Sequence, residues 1–182
     1  MKKIVAMAVL AVGFLVSLSG CSEDVHTKPT VFGDNAETIS YIKSLNSNIK
    51  EVAVVPCRAN KKCDGTFLIS LEAVRANLYG SKTDWLMAAN SNYHISKDLF
   101  SGFPNKIYEL KTSHISAAKD KYGKDTKATW AIFTVKGDEA AKIEWKGMDW
   151  LQYTKNFVEL ESYNSDGLQW LRDFRNEYGL LK

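Results

Sequence analysis

Cys57 and Cys63 are the two side chains in this sequence that are best placed to react with each other. A disulfide between them would close a short loop that carries the basic residues Arg58, Lys61 and Lys62. Disulfides persist where the surroundings are oxidising, so this pairing fits an exported chain. A metal site is the alternative, but two cysteines without a neighbouring histidine cannot fill a tetrahedral shell. We therefore expect a disulfide that fixes the shape of a basic loop, and we expect neither a metal nor a cofactor.

Three histidines, His26, His94 and His114, are candidates for general acid–base chemistry. A histidine acts as a general base when the fold places an acid and a nucleophile within hydrogen-bond reach of its ring. The spacings G-x-S-x-G, H-E-x-x-H, G-x-x-x-x-G-K and G-x-G-x-x-G are absent from the sequence. A partly exposed structural histidine explains His94 and His114 at least as well, and His26 falls in a polar N-terminal segment.

Paired carboxylates are the other arrangement that could support hydrolysis, as in enzymes that cleave glycosidic bonds. Glu159 and Glu161 are two residues apart on a predicted strand and therefore share a face. Asp138 and Glu139 lie in a predicted turn. The residues around both pairs show no pattern of burial, so a solvated strand face and a solvated turn are the expected interpretations.

Aromatic residues give the strongest indication of binding, since ten of them fall between positions 130 and 178. Most are expected in the core. Trp150 and Tyr153 differ because they occupy a predicted connector between two strands, where an aromatic side chain can anchor a protein interface or stack on a sugar ring. Burial in the core is the interpretation that the sequence favours for both, with binding as the functional alternative. Together with Arg58, Lys61 and Lys62 they form the candidate binding surface.

The first 21 residues have the organisation of a secretory signal peptide. Lys2 and Lys3 precede an apolar run over residues 4–18, and small residues follow before Cys21. The apolar run is shorter than the roughly 20 residues that a helix needs to cross a bilayer. The sequence therefore predicts an exported chain rather than one held by a transmembrane helix.

The last four residues of this segment, Leu18-Ser19-Gly20-Cys21, resemble a lipobox, the processing signal of bacterial lipoproteins. The resemblance implies cleavage before Cys21, a diacylglyceryl thioether on its sulfur, and an acyl chain such as palmitate on the new amino terminus. Ser22 stands where inner-membrane lipoproteins of enteric-type bacteria have Asp, so the resemblance implies a lipid anchor in the outer membrane, facing the periplasm. An ordinary signal peptide followed by a chance cysteine is the alternative.

Charge and composition narrow the class of partner. The chain has 24 basic and 21 acidic residues, and two of the lysines lie in the predicted signal peptide. This near-neutral balance argues against nucleic acid, which selects for a strong basic excess. The aromatic content of 12% is typical of a folded domain and unlike a disordered stalk.

The pattern of apolar residues predicts three segments: a signal peptide at 1–20, a lipidated flexible tether at 21–35 and a single globular domain at 36–182. Helices are predicted at residues 36–49, 71–78, 85–87, 113–122 and 165–178. Strands are predicted at residues 51–56, 67–69, 128–135, 141–146 and 156–163, with 128–135 and 141–146 forming a hairpin. This order favours an α+β fold, in which an antiparallel sheet of four or five strands carries helices on one side.

The expected function is that of a non-enzymatic protein-binding module anchored in the envelope by lipid. Its partner would be another envelope protein or an incoming protein, and an immunity-type or inhibitor role is favoured within this class. An envelope hydrolase acting on peptidoglycan or lipid through His94 or His114 is the first alternative. A pilotin-like assembly factor for a secretion or pilus machine is the second, and it predicts a groove for a partner helix or strand.

Overall fold

The computed structural model describes residues 27–58, 63–75, 82–119, 121–163 and 165–179. The predicted signal peptide, the predicted lipidation site Cys21, and the loop residues Lys61 and Lys62 lie outside the described residues. Within the described residues the chain forms five helices and five strands. In chain order these are α1 (Ala36–Ser44), β1 (Ile49–Pro56), β2 (Phe67–Arg75), α2 (Lys82–Gly102), β3 (Ile107–Lys119), β4 (Asp125–Lys136), α3 (Gly137–Ala140), α4 (Trp150–Phe157), β5 (Glu159–Ser162) and α5 (Ser165–Tyr178).

The strands form one sheet in the order β1-β2-β3-β4-β5, which is also their order in the sequence. All neighbouring pairs are antiparallel except β2 and β3, which run parallel. Helix α2 explains the exception, because its 21 residues extend about 31 Å and return the chain to the starting end of the sheet. The predicted α+β class is confirmed, and the sheet has one parallel pair that the sequence pattern did not indicate.

One face of the sheet is covered by the helices. Alternate side chains on this face are buried and form rows across the strands, such as Val54–Ile69–Leu110–Val135 and Leu71–Thr112–Phe133–Leu160. The opposite face, called the open face here, carries exposed or half-buried polar side chains that include Glu51, Ser70, Lys111, Glu159 and Glu161. Strands β1 and β2 alternate as expected for a sheet with one buried face, whereas on β4 the open-face residues Ile132 and Thr134 are buried as well.

The buried side chains fall into two apolar clusters. The larger cluster joins α1, β1, β2, α4 and the C-terminal half of α2 around side chains such as Ile42, Leu71 and Leu99. The smaller cluster joins the N-terminal half of α2 to β4, β5 and α5. In it the rings of Trp85 and Trp130 pack edge to face with centroids 5.2 Å apart.

The segment before α1 belongs to the domain. Phe32 is 7% exposed, and its ring centroid lies 4.4 Å from that of Phe103 and 5.7 Å from that of Phe67. The predicted tether at 21–35 is therefore too long, because a buried aromatic side chain ties this part of the chain to the core. Helix α1 begins after its N-cap Asn35, whose side chain accepts a hydrogen bond from the amide of Thr38 at 2.8 Å.

Several predicted elements are wrong. Residues 71–78 and 113–122, which were predicted to be helical, overlap strands β2 and β3. The predicted strand at 141–146 is irregular, because the chain turns into the short helix α3 directly after β4. The fragment predicted at 85–87 is part of the much longer α2, and the predicted connector that holds Trp150 is helix α4.

Candidate functional site

The predicted disulfide is present. Cys57 and Cys63 are bonded with their Cα atoms 5.6 Å apart, and both are buried. Cys57 directly follows β1, and its amide donates a hydrogen bond to the carbonyl of Thr66 at 2.9 Å. Arg58, the described basic residue of the predicted loop, is exposed. The disulfide therefore fixes a loop with an exposed cation at the end of an edge strand.

The structure separates the two aromatic residues of the candidate binding surface. Asp149 caps α4 by accepting hydrogen bonds from the amides of Leu151 and Gln152, at 2.8 and 2.9 Å. Trp150 is half-buried at the start of this helix. Tyr153 is 0% exposed. Its prediction as a surface contact is wrong, because the turn of α4 directs its ring into the core.

Burial also changes the chemistry of Tyr153. Its ring lies 5.6 Å from that of Tyr93 and 5.7 Å from that of Trp145. Burial raises the pKa of the Tyr153 hydroxyl well above its usual value, and hydrogen bonding with Ser96 and Asn92 opposes this shift. The hydroxyl is therefore neutral at physiological pH and acts as a structural group of the core.

The two candidate catalytic histidines lie in unlike surroundings. His114 is fully buried on β3, with its ring 5.1 Å from that of Phe133 and 5.6 Å from that of Trp130. A substrate in solvent cannot reach this ring. His94 is exposed on α2 with its ring edge-on to Tyr93 at 5.1 Å. No hydrogen bond or ion pair joins His94 to a carboxylate in the described part of the chain.

The paired carboxylates are solvated, in line with the interpretation favoured by the sequence. Glu159 and Glu161 are both exposed on β5. Asp138 is exposed at the start of α3, and Glu139 forms an ion pair with Lys142 at 2.6 Å. Among the described residues, no three His, Cys, Asp or Glu side chains lie close enough together to hold a metal ion.

A group of buried polar side chains that no sequence pattern predicted lies between α2 and the sheet. Asn92 and Ser96 point inward from α2, and Thr112 occupies the helix-facing side of β3. The Nδ2 of Asn92 donates to the hydroxyl of Tyr153 at 3.5 Å. Buried polar groups of this kind specify one packing arrangement more than they add stability.

A cleft of about 330 Å³ opens at the end of the sheet where α2 stops and α3 starts. Its apolar wall includes Phe100, Ile143 and Trp145, and its polar groups include Ser101 and Asn105. The described lining side chains include no acid or base. The cleft can receive an apolar group of a ligand, but its lining contains no group that could transfer a proton.

Charge on the open face is unevenly compensated. Lys136 pairs with Glu109, and this hydrogen bond is the main cause of the raised pKa of Lys136. Lys127 lies 3.8 Å from Glu72. Glu51 stands directly across from Glu72 in the β1–β2 register, and no cation pairs with Glu51 among the described residues. One carboxylate next to the edge of the sheet is therefore uncompensated.

The two edge strands of the sheet differ. In β1 the amide of Cys57 points toward β2, so by alternation the amides of Val52 and Val54 point away from the sheet. Val55 is 51% exposed beside them. In β5 the guanidinium of Arg175 donates to the carbonyl of Leu160 at 3.0 Å, so α5 covers that edge. Among the described strands the β1 edge is the longer, and its outward amides have no described backbone partner, although α1 packs against β1.

Sequence analysis did not identify the edge position of β1, the charge at Glu51 or the cleft beside Trp145. The apolar β-branched run of residues 51–56 was the available signal for a strand. Its position at the edge follows from which strands pair, and local sequence does not determine that pairing.

Comparison of the chain with protein-family models, with curated proteins and with solved structures finds no match. Among the described residues, no helix is both long enough and apolar enough to cross a bilayer.

Proposed function

We propose that this chain is a bacterial lipoprotein that binds a partner protein at the envelope and catalyses no reaction itself. The signal-like N-terminus supports export, and the lipobox-like Leu18-Ser19-Gly20-Cys21 supports a lipid on Cys21 in the outer membrane. The mature domain would face the periplasm. An immunity-type or inhibitor role, directed at an envelope protein or an incoming protein, fits this arrangement.

The observation that carries the proposal is the Cys57–Cys63 disulfide and where it lies. It holds exposed Arg58 at the end of the accessible edge strand β1. A loop fixed by a covalent bond loses little conformational entropy when it binds, which favours recognition of a protein surface. The disulfide also agrees with an oxidising envelope compartment.

Burial of His114 supports a binding role over hydrolysis. A hydrolase that worked through this ring would need substrate access to a side chain that is 0% exposed. His94 is accessible, and its described contact is with the ring of Tyr93. A general base needs a partner that orients it and a nucleophile within reach.

The partner is tested by capture with the mature, lipidated protein in detergent, from envelope extract and from the secretions of competing cells. We expect one stoichiometric protein, identified by mass spectrometry, whose capture decreases when Arg58 is changed to Glu. Arg172→Glu, an exposed change on α5, is the matched control and should leave capture unchanged. Absence of a partner, together with release of fragments from purified sacculi or phospholipid, would replace this proposal with the hydrolase.

Lipid anchoring is tested separately by labelling cells with radioactive palmitate. The wild-type chain should incorporate label and sediment with outer-membrane fractions. Cys21→Ser should remain unlabelled and should not reach the outer-membrane fraction. Equal labelling of the two chains would overturn the proposed lipid site and leave the binding role unaffected.

A pilotin-like assembly factor is the second candidate, and the accessible β1 edge is the observation that favours it. Such a factor needs a surface for a strand or helix of the machine that it assembles. The identity of the captured protein separates the two roles: a toxin or an inhibited enzyme indicates immunity or inhibition, and a secretion or pilus component indicates assembly.

A further inference from the structure

The edge of β1 has the backbone geometry that an additional strand requires. Val52 and Val54 turn their amides and carbonyls away from β2, and the described residues supply no backbone hydrogen bond to this side. Pro56 ends the strand and has no amide to offer there. Main-chain hydrogen bonds along such an edge are the source of affinity when a protein binds an extended peptide.

The side chains next to this edge indicate what kind of strand would fit. Glu51 and Glu72 are cross-strand neighbours on the open face, and like charges in this position repel each other. Lys127 compensates Glu72 at 3.8 Å, and Glu51 has no such cation among the described residues. Val55, four residues further along the same face, is 51% exposed. The edge therefore presents one free acid and one accessible apolar side chain.

We propose that β1 accepts an extended segment of the partner protein as a sixth strand of the sheet. The segment carries Lys or Arg opposite Glu51 and an apolar residue opposite Val55, four positions away on the same face. This inference rests on the proposed protein-binding function and names the chemistry that β1 recognises. Arg58, just beyond Pro56, borders the same edge.

A second copy of this chain meets the charge requirement less well. Antiparallel pairing of two β1 strands about Ala53 would place Val55 of one copy opposite Glu51 of the other. Each Glu51 would then face a valine and remain without a cation. A heterologous segment with a basic residue satisfies both positions, so it is the occupant that the charge pattern favours.

The test uses the mature lipoprotein in detergent and a displayed library of random nine-residue peptides. We expect enriched peptides to share a Lys or Arg and an apolar residue four positions apart. Synthetic copies of the enriched peptides are then titrated against variants of the protein. Val52→Pro removes an outward amide and should weaken binding at least about tenfold. Val52→Thr keeps the amide and is the matched control, expected within about twofold of the wild type.

The proposed pairing of Glu51 with a basic residue of the peptide can be tested independently. This test does not require that the fold accept a proline in β1. Glu51→Lys should weaken binding of the basic peptide, and a peptide with Glu in place of its Lys or Arg should recover binding to this variant. Equal binding to Val52→Pro and wild type, when thermal melting shows that both are folded, would overturn the proposal. Failure of the charge exchange to restore binding, or absence of any enriched peptide, would also overturn it.

Sedimentation of the same samples tests whether a second copy of this chain, and not a segment of another protein, pairs with β1. A dimer of the wild type that dissociates in Val52→Pro would show that β1 pairs with a second copy, and it would overturn the heterologous segment. Partner capture from envelope extract distinguishes the two levels of the argument. If Val52→Pro captures the envelope partner as well as the wild type does, the proposed function stands and the β1 site is wrong.

Discussion

The two edges of this sheet solve the same physical problem differently. An edge strand exposes unpaired backbone groups, and proteins usually cover or interrupt them to prevent association. β5 is four residues long, and Arg175 of α5 donates to the carbonyl of Leu160. β1 is eight residues long and is bordered by exposed Val55 and uncompensated Glu51. Helix α5 donates a side-chain hydrogen bond to one edge, whereas the outward backbone groups of the other have no backbone partner among the described residues, although α1 packs against β1.

The unequal treatment of the two edges points to β1 as the functional side of the sheet. Both edges belong to one sheet, and each borders an apolar cluster, the larger one at β1 and the smaller one at β5. Stability alone therefore does not explain why they are treated differently. At β5 a side chain of α5 forms a hydrogen bond with a backbone carbonyl of the edge strand. Retention of an apolar, accessible edge at β1 is therefore the feature of the described domain that most needs a functional explanation.

Among changes at the two edges, removing the disulfide at the end of β1 should cause the largest loss of stability. Replacing both Cys57 and Cys63 with Ser should lower the free energy of unfolding by about 2 kcal/mol, since a short closed loop restrains the unfolded chain only modestly. Urea denaturation measures this change. Reductant should destabilise the wild type by a similar amount and leave the double variant unaffected. Equal stability of the two chains would show that the bond contributes nothing to the end of β1.

Removing Arg175 should make the two edges alike. Arg175→Met keeps an apolar stem and leaves the Leu160 carbonyl without its charged donor, which should cost about 1.5 kcal/mol. Denaturation measures the loss, and sedimentation at rising concentration tests whether the uncovered β5 associates. Arg172→Met, on the exposed side of α5, is the control and should change neither property. A wild-type unfolding curve for Arg175→Met would show that the contact does not protect this edge.

A smaller and pH-dependent effect is expected on the open face beside β5. Hydrogen bonding to Glu109 raises the pKa of Lys136 above its ordinary value of 10.5, and the Lys136 side chain is 40% exposed. Lys136→Gln should therefore cost about 0.5 kcal/mol after solvent screening. Because the folded-state pKa is raised, this contribution is complete below the unfolded-state pKa and is lost as pH rises through the folded-state value.

The direction of this pH dependence is tested by comparing the unfolding free energies of wild type and Lys136→Gln at about pH 8 and at about pH 11.5. The difference between the two chains should be larger at the lower pH. A difference that grows with pH would contradict the assigned ion pair.

The smallest effect on stability should come from placing a charge on the accessible edge itself. Val55→Lys changes a side chain that is 51% exposed, so the free energy of unfolding should stay within about 0.5 kcal/mol of the wild type. A lysine on an edge strand opposes the pairing of another strand, so binding to β1 should weaken while folding does not. Val55→Thr separates the loss of apolar area from the added charge. Unchanged partner capture by Val55→Lys would remove this side chain from the interface.

Sequence patterns identified the parts of the fold whose local signals agree with their tertiary setting. Helix α1 has its N-cap at Asn35, and β1 is β-branched and ends at a proline. The disulfide between Cys57 and Cys63 followed from spacing and export. In each case the residue types that favour the element locally are the types that the folded structure uses.

The errors arise where tertiary contacts override local preference. Residues 113–122 contain alanines and lysines that favour a helix, yet β3 pairs on both sides, with β2 and with β4. The sequence predicted only residues 85–87 of helix α2. Asn92 and Ser96 interrupt its apolar stripe, although both side chains are buried. Periodicity in hydrophobicity cannot reveal a helix whose inward face is partly polar.

Local sequence predicted only the part of the candidate site that does not depend on distant contacts. Arg58 could be placed on an exposed loop because the cysteines bracket it. Tyr153 could not be assigned to the core, because its burial depends on Tyr93 and Trp145 arriving from distant parts of the chain. The accessible edge of β1 is a property of sheet order, and it becomes visible only when all five strands are placed.

The parallel pairing of β2 with β3 has a consequence for the order in which the chain acquires its structure. The β1–β2 and β3–β4 pairs are local hairpins, whereas β2 meets β3 only after the chain has passed through α2. Because this contact closes a longer loop than either hairpin does, we expect it to form after them. If the chain crosses the inner membrane N-terminus first, as the proposed function requires, the first hairpin emerges before its parallel neighbour. We expect this interval to be when an escorting chaperone is most needed.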